Sequence, residues 1–217
     1  MAIGVGFNLY DGIVLGSDRQ RISPGQTQYG EKKIFNQVNE DIVVALVGGD
    51  DLTRAAEVWR KFKDQPISSY LSCEEALTAT LNDVGGSDQD LPLQLLCGFA
   101  SKDTTGLLQV RGREIELVED FRVICSGDAP LIQYLTRHMN MLWENVPRGV
   151  VFACYLLKRA NDYLDSCGGP MDMLVLKPGP QIHLIESDMI DEIDKRIAKN
   201  HSQAFGNLFS IDLPFPV

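Results

Sequence analysis

The chain opens on an alternation of apolar positions with small or polar ones, a period of two that is typical of a strand with one covered face. The odd positions of Ile3–Leu9 are apolar, and the even positions between them are glycine or asparagine. Asp11-Gly12 then indicates a tight turn, so residues 13–15 are predicted to return as a second strand. The rest of the first third extends this antiparallel meander, with a loop or short strands over 21–31, strands over 33–35 and 42–46, and a polar turn over 36–41.

Helical periodicity starts after Gly48-Gly49-Asp50, where apolar residues begin to recur at every third or fourth position. Asp50 is predicted to cap this first helix, whose apolar face begins at Leu52. A second helix is predicted to begin at Ser72, because Glu75 stands three residues later as in a capping box. Later helices are predicted over 128–143, 147–163 and 188–199, and strands over 93–100, 106–110, 115–118, Phe121–Cys125, 171–176 and Gln181–Ile185.

The order of these elements favours the α+β class. Strands and helices come in blocks rather than in strict alternation, which is typical of antiparallel sheets. The helices come in pairs that could cover the outer faces of two stacked sheets. Because neither an internal repeat nor a low-complexity linker interrupts the chain, residues 1–217 are predicted to form one domain.

The net charge of the chain argues against some classes of binding partner. The chain has 217 residues, of which 20 are Lys or Arg and 30 are Asp or Glu, so its formal net charge is −10. Nucleic acid and anionic membranes are therefore not expected as partners, because both attract a clustered basic face. No apolar run approaches the roughly 18 residues of a membrane span, and no secretory signal is visible, so a cytoplasmic protein is expected.

The spacing of potential ligands argues against metal or cofactor chemistry. The five cysteines are scattered without a CxxC pair, which indicates reduced thiols rather than disulfides or a zinc site. The three histidines lie far apart, and no Gly-rich phosphate loop follows a strand. The sequence therefore predicts no metal and no cofactor.

Short motifs at strand ends and helix starts form a set that spans nearly the whole chain. They are the strand Ile3–Leu9, the run from Asp11-Gly12 to Asp18, Lys32-Lys33-Ile34-Phe35, Val47-Gly48-Gly49-Asp50, Cys125-Ser126-Gly127 and Cys167-Gly168-Gly169. At these separations the set resembles the proteasome family of N-terminal-nucleophile hydrolases. The resemblance implies a four-layer αββα sandwich of two antiparallel sheets flanked by helices, in subunits that associate into rings. Since the sequence starts at its first strand, it is expected to be similar to the β-type or bacterial subunits.

In active members of that family, an N-terminal threonine exposed by processing attacks the scissile carbonyl, and its own α-amine is the base. The resemblance places this nucleophile position on Ala2, whose methyl group cannot attack a carbonyl. It also implies catalytic roles for Asp18 and Lys33, for Ser126 as a hydroxyl near the amine, and for Gly127 as an oxyanion donor.

Other family positions are changed or ambiguous in this sequence. Gln20 replaces an arginine, and Cys167 replaces a serine. The paired aspartate of the family falls on Leu164 in an ungapped match and on Asp165 after a shift of one residue. Gln20 and Gly48-Gly49 are expected to line a substrate channel. Each of these residues also has an ordinary structural explanation, such as a turn, an ion pair or core packing.

Three functions remain open from the sequence. The first is a proteasome-β-like subunit of a self-compartmentalising ring, inactive because of Ala2, with like or related subunits as partners. The alternative is an active N-terminal-threonine peptidase of intracellular protein degradation, in which alanine replaces the natural nucleophile here. Such an enzyme would take peptide or unfolded-protein substrates, with an ATP-dependent unfoldase as partner. The third is a non-proteolytic binding module on the same fold.

Overall fold

A computed structural model describes residues 3–23, 26–29, 32–39, 41–49, 51–85, 93–125, 145–165 and 167–209, with side chains described except at 21–29 and 200–209. This part of the chain forms twelve strands and four helices. The strands are β1 Ile3–Leu9, β2 Gly12–Asp18, β3 Gln20–Ser23, β4 Gln26–Tyr29, β5 Ile34–Val38, β6 Ile42–Gly48, β7 Gln94–Ser101, β8 Thr105–Arg111, β9 Glu114–Val118, β10 Phe121–Cys125, β11 Met171–Lys177 and β12 Gln181–Ile185. The helices are α1 Leu52–Phe62, α2 Tyr70–Gly85, α3 Val146–Tyr163 and α4 Ser187–Phe209.

Two five-stranded antiparallel sheets stack face to face between the helices. One sheet has the order β10-β1-β2-β11-β12, the other has the order β5-β6-β7-β8-β9, and β3 and β4 form a separate hairpin. One core cluster joins α3 and α4 to the first sheet, and another joins α1 and α2 to the second. A third cluster lies between the sheets. The predicted α+β sandwich is confirmed, with layers in the order αββα.

The central strands are apolar on both faces because each face meets a different layer. In β2, which is buried throughout, Val14 packs toward the helices while Ile13 and Leu15 pack between the sheets. Gly4 allows the sheets to approach closely, since a Cβ atom there would lie 2.8 Å from Cγ1 of Val47. These contacts explain why a continuous apolar run, rather than alternation, marks the middle of each sheet.

The predicted polar turn over 36–41 is wrong for its first half. Residues 34–38 form β5, in which Asn36 pairs with Ala45 and Val38 pairs with Val43. β5 lies at the edge of its sheet, so its polar side chains can face solvent while its backbone stays in the ladder. Polar composition was therefore a misleading sign of a turn.

The N-terminal cap of α1 is Asp51 rather than the predicted Asp50. The Oδ1 atom of Asp51 accepts a hydrogen bond of 3.0 Å from the amide of Arg54, which satisfies one of the free amides of the first turn. Either aspartate suits a cap by residue type, and only the backbone geometry selects between them.

Helix α2 begins at Tyr70, two residues before the predicted start at Ser72. The amide of Ser69 donates to Oγ of Ser72 at 2.8 Å, and the amide of Ser72 donates to Oγ of Ser69 at 3.2 Å. This reciprocal pair is a capping box in which a serine takes the place of the usual Glu or Gln. The predicted box between Ser72 and Glu75 is therefore wrong.

Replacing Ser69 with alanine is expected to lower the free energy of unfolding by about 1 kcal/mol, because the first turn of α2 loses its cap. The matched control is Ser68→Ala, which removes a neighbouring exposed hydroxyl but keeps the amide that donates to Ser72. Urea denaturation of both variants measures the difference. Equal stabilities for Ser69→Ala and Ser68→Ala would contradict the capping box.

The last described helix is longer than the sequence predicted. Helix α4 continues to Phe209, ten residues beyond the predicted end at Lys199. The helix predicted over 128–143, with its cap at Asp128, lies outside the described residues. Among the described helices, none combines the length and the apolarity that a membrane crossing requires.

Candidate functional site

The carboxylate of Asp18, at the end of β2, is the centre of a buried polar cluster. Its Oδ1 atom accepts hydrogen bonds from the amide of Ile3 at 3.1 Å and from Nζ of Lys33 at 2.5 Å. Its Oδ2 atom accepts from the amide of Gly168 at 3.0 Å. The side chains of Asp18 and Lys33 are both 0 % exposed. The carboxylate thus ties the first strand, the start of β5 and the loop before β11 to one point.

The fold positions Lys33 through its backbone as well as its side chain. Lys33 precedes the edge strand β5, and its carbonyl accepts a hydrogen bond of 2.9 Å from the amide of Gly48 at the end of β6. A buried ion pair is stable only when its geometry and additional hydrogen bonds offset the loss of hydration. The two backbone amides on Asp18 supply those additional bonds.

Three consecutive residues at the exit of β2 fasten the loop between α3 and β11 and the start of β11 itself. Asp18 holds Gly168, and Gln20 donates through Nε2 to the carbonyl of Asp165 at 3.0 Å. Arg19 forms a two-point ion pair with Asp172, and this hydrogen bond raises the pKa of the guanidinium. The loop is therefore held at Asp165 and Gly168, and the start of β11 is held at Asp172, so a shift of the loop would break the buried bond from Gly168 to Asp18.

The structure brings together several residues that the sequence singled out. Asp18 and Lys33 are in direct contact. Gln20 hydrogen-bonds to the backbone carbonyl of Asp165, whereas the side chain of Asp165 is exposed. Cys167 is buried next to Gly168, and its amide donates to the carbonyl of Leu164 at 2.9 Å. Ala2, Ser126 and Gly127 lie outside the described residues.

Gly48 and Gly49 have packing reasons for the absence of a side chain. A Cβ atom on Gly48 would lie 2.8 Å from the Cβ of Ala55 in α1, and one on Gly49 would lie 2.9 Å from the carbonyl oxygen of Gln94. Their amides donate to the carbonyls of Lys33 and Gln94, respectively. These two donors are already occupied within the chain, so any contact with a substrate would use other backbone groups.

Sequence reasoning missed two members of the cluster, Ile3 and Gly168, because both act through the backbone amide. A side-chain motif carries no sign of such a donor. The double glycine Gly168-Gly169 was the one available signal, since Gly169 has a φ of 77°, which lets the chain turn sharply beside Asp18.

The cluster places a buried charged pair beside the first described residue of the chain. Ile3, whose amide donates to Asp18, immediately follows in the sequence the position 2 on which the family resemblance places the nucleophile. Across the described ranges, no group of three or more His, Cys, Asp or Glu side chains has a geometry that could hold a metal ion.

Two thiols away from this cluster are strongly perturbed. Burial raises the pKa of Cys154 to about 12, and the carboxylate of Asp194 adds to the rise. A hydrogen bond with Cys73 and complete burial raise the pKa of Cys97 well above its ordinary value. Such thiols stay protonated near neutral pH, which makes them poor nucleophiles.

Stability is expected to fall at alkaline pH because of these thiols. Unfolded thiols titrate near pH 8.5, at about their unperturbed pKa, so above that pH the unfolded chain releases protons that the folded chain keeps. The stabilisation is complete below about pH 8.5 and is lost as the pH rises toward the folded pKa of Cys154, about 12. Urea denaturation at pH 8 and pH 10, in reductant, should show a smaller loss for Cys154→Ala than for the unchanged chain. Equal losses would contradict the raised pKa.

Comparison with known proteins supports the fold. No protein-family model and no curated protein matches the chain. Among solved structures, it is similar to the Anbu Gly-1 mutant from Hyphomicrobium sp. strain MC1, with 13% identity over 100% of both chains and a TM-score of 0.79. It is also similar to Anbu, an ancestral beta-subunit, from Yersinia bercovieri, with 14% identity, 99% of each chain covered and a TM-score of 0.79. A third similar structure is the helical assembly of the Anbu complex from Pseudomonas aeruginosa, with 14% identity and a TM-score of 0.76. That match covers 99% of this chain and 98% of the Anbu chain. At these identities the likeness establishes the fold, which is the proteasome-like fold of the Anbu subunits.

Proposed function

We propose that this chain is a β-type subunit of a proteasome-like particle, and that the subunit is not a peptidase because residue 2 is alanine. The observation that carries the proposal is the buried Asp18 carboxylate, which accepts hydrogen bonds from the amide of Ile3 and from the ammonium of Lys33. In an N-terminal nucleophile site, such a pair adjusts the proton balance of the attacking hydroxyl and amine. Here the pair is present and the hydroxyl is missing.

Self-association is part of the proposal. The Anbu complex of Pseudomonas aeruginosa forms a helical assembly, and this chain has the same fold. Large apolar side chains are exposed on the outer helical layers, where a neighbouring subunit could cover them. They include Leu71 of α2, Val151 of α3 and Met189 of α4, which are 66, 44 and 53 % exposed.

Electron microscopy of the purified chain tests the assembly, and peptidase assays test the inactivity. We expect particles built from many like subunits, and the images distinguish a closed ring from an open helix. We also expect no cleavage of fluorogenic peptides and no covalent labelling of residue 2 by a peptide epoxyketone. A monomer at micromolar concentration would overturn the assembly, and labelling of residue 2 together with cleavage would overturn the inactivity.

The same buried pair favours a second candidate, an active N-terminal-threonine peptidase in which alanine replaces the nucleophile. Burying Lys33 and Asp18 has a large desolvation cost, and two apolar side chains of similar volume would fill the space without it. A subunit without catalysis has only a structural use for the pair, which ties three segments of the fold together. Such a peptidase would degrade peptides or unfolded proteins inside cells, with an ATP-dependent unfoldase as its partner. A binding module on the same fold remains the third candidate, and it predicts no turnover even when residue 2 is threonine.

A further inference from the structure

The two sheets separate at one side of the sandwich and leave a cleft between them. Its volume is about 300 Å³, and it lies between the edge strand β5 of one sheet and the edge strand β12 of the other. The walls include Ile34 on β5, Leu174 on β11, Leu184 on β12 and the ion pair of Arg19 with Asp172. We call this the side cleft.

The β12 wall of the side cleft is an unpaired strand edge with an exposed apolar side chain. Leu184 is opposite Leu174 in the ladder, so both side chains face the space between the sheets. Leu174 is buried, whereas Leu184 is 69 % exposed. Within the described part of the chain, no strand pairs with the outer edge of β12. The cleft therefore has the free backbone groups and the apolar surface that one more strand would need.

The sequence after α4 has the pattern of such a strand. Residues 210–217 read Ser-Ile-Asp-Leu-Pro-Phe-Pro-Val, so every odd position is apolar and every even position is polar or proline. In a strand, the apolar side chains would all face one side. Pro214 and Pro216 are two residues apart, so their missing N–H groups would fall on the same edge. Proline is tolerated in a sheet when its nitrogen faces away from the partner strand, which here leaves the odd residues to pair.

Residues 210–217 are too few to run back along α4 to Glu186 in the cleft wall of their own chain. Helix α4 begins at Ser187, next to Glu186 in the cleft wall, and ends 22 residues later at Phe209. At about 1.5 Å per residue, the end of the helix lies about 33 Å from its start. Residues 210–217 span at most about 29 Å when fully extended, which is less than the length of α4.

We propose that residues 211–217 of one copy add as an edge strand to β12 of another copy and fill its side cleft. The inference rests on the proposed assembly and names one of its contacts. Because the two surfaces differ, the contact is heterologous, and repeating it generates a ring or an open helix. The apolar odd residues would cover Leu184 and Ile34, which remain accessible in the single chain.

Photo-crosslinking of the full-length chain tests this contact. The variant Phe215→p-benzoylphenylalanine carries an apolar probe at the centre of the segment, and a second variant carries it at position 213. An equal mixture of ¹⁴N- and ¹⁵N-labelled chains is irradiated, and the linked peptides are mapped by mass spectrometry. We expect links from the probe to β12 or Ile34 of a differently labelled chain. Links confined to one chain, or mapping to another surface, would overturn the inference.

A matched pair of substitutions gives the control. Leu184→Asp should lower the yield of the cross-link about tenfold or more, because a charge at the apolar contact with the segment opposes docking. Leu117→Asp alters an exposed leucine on β9, at the far edge of the other sheet, and should leave the yield unchanged. Equal yields from the two variants would overturn the docking site.

Electron microscopy of the same samples separates the two possible failures. Particles of many subunits without links to β12 would overturn this contact and leave the proposed function intact. A monomer would overturn both, because no second copy would be present to receive the segment.

Discussion

Replacing Lys33 with methionine is expected to lower the free energy of unfolding by about 3–5 kcal/mol. The substitution removes the cation that balances the carboxylate of Asp18, and both side chains are fully buried. The two backbone amides on Asp18 remain, but they cannot replace a full positive charge at a buried carboxylate. For a chain of this length, the melting temperature should fall by roughly 6–20 °C.

An exposed ion pair of similar geometry provides the control. Nζ of Lys61 lies 2.6 Å from Oδ2 of Asp83, and these side chains are 30 and 68 % exposed. Lys61→Met should therefore lower the free energy of unfolding by less than about 1 kcal/mol. Comparable losses for Lys33→Met and Lys61→Met would contradict the buried site.

The double variant Asp18→Leu, Lys33→Met separates charge from packing. It removes both charges together, so it should be more stable than Lys33→Met alone. Thermal denaturation of the two single variants and the double variant gives the coupling energy. If the losses simply add, the destabilisation comes from packing rather than from an unpaired charge.

The fold was predictable because most of it rests on local periodicity. The alternation in β1 and the apolar face of α1 are visible in short windows of sequence, and the structure confirms the strand and the helix. The expectation of one covered face for β1 is wrong, because both of its faces are buried between layers. The errors in the predicted helix starts arise where two neighbouring residues could each cap the helix. Asp50 and Asp51 are equally good caps by type, and Ser69 forms its capping box with another serine rather than with an acidic residue.

The site was only partly predictable because it is assembled from distant segments. Asp18 and Lys33 are 15 residues apart, and Asp18 and Gly168 are 150 residues apart. The resemblance to a family indicated the two charged residues, but residue spacing by itself did not. The amides of Ile3 and Gly168 could not be found from the sequence, since every non-proline residue has the same backbone donor.

Changing residue 2 from alanine to threonine has the largest expected effect on activity. If the chain retains a competent site, Ala2→Thr should cleave fluorogenic peptides at least about 100-fold faster than a variant without the hydroxyl, since removing a nucleophile costs enzymes far more than that. The added hydroxyl would attack the carbonyl while the α-amine takes its proton. Lys33 and Asp18 already contact each other, and Asp18 accepts a hydrogen bond from the amide of Ile3, the residue that follows position 2.

The control for Ala2→Thr is Ala2→Val, because valine has the shape of threonine and lacks only the hydroxyl. Both proteins need the same two checks before the assay. Intact mass must show that Met1 has been removed, since a retained methionine blocks the α-amine, and light scattering must show the same assembly. A peptide epoxyketone should then label residue 2 in the threonine variant alone. Equal turnover by the threonine and valine variants would contradict the peptidase and support a subunit without catalytic activity. The buried pair would then stabilise the fold and take no part in a reaction.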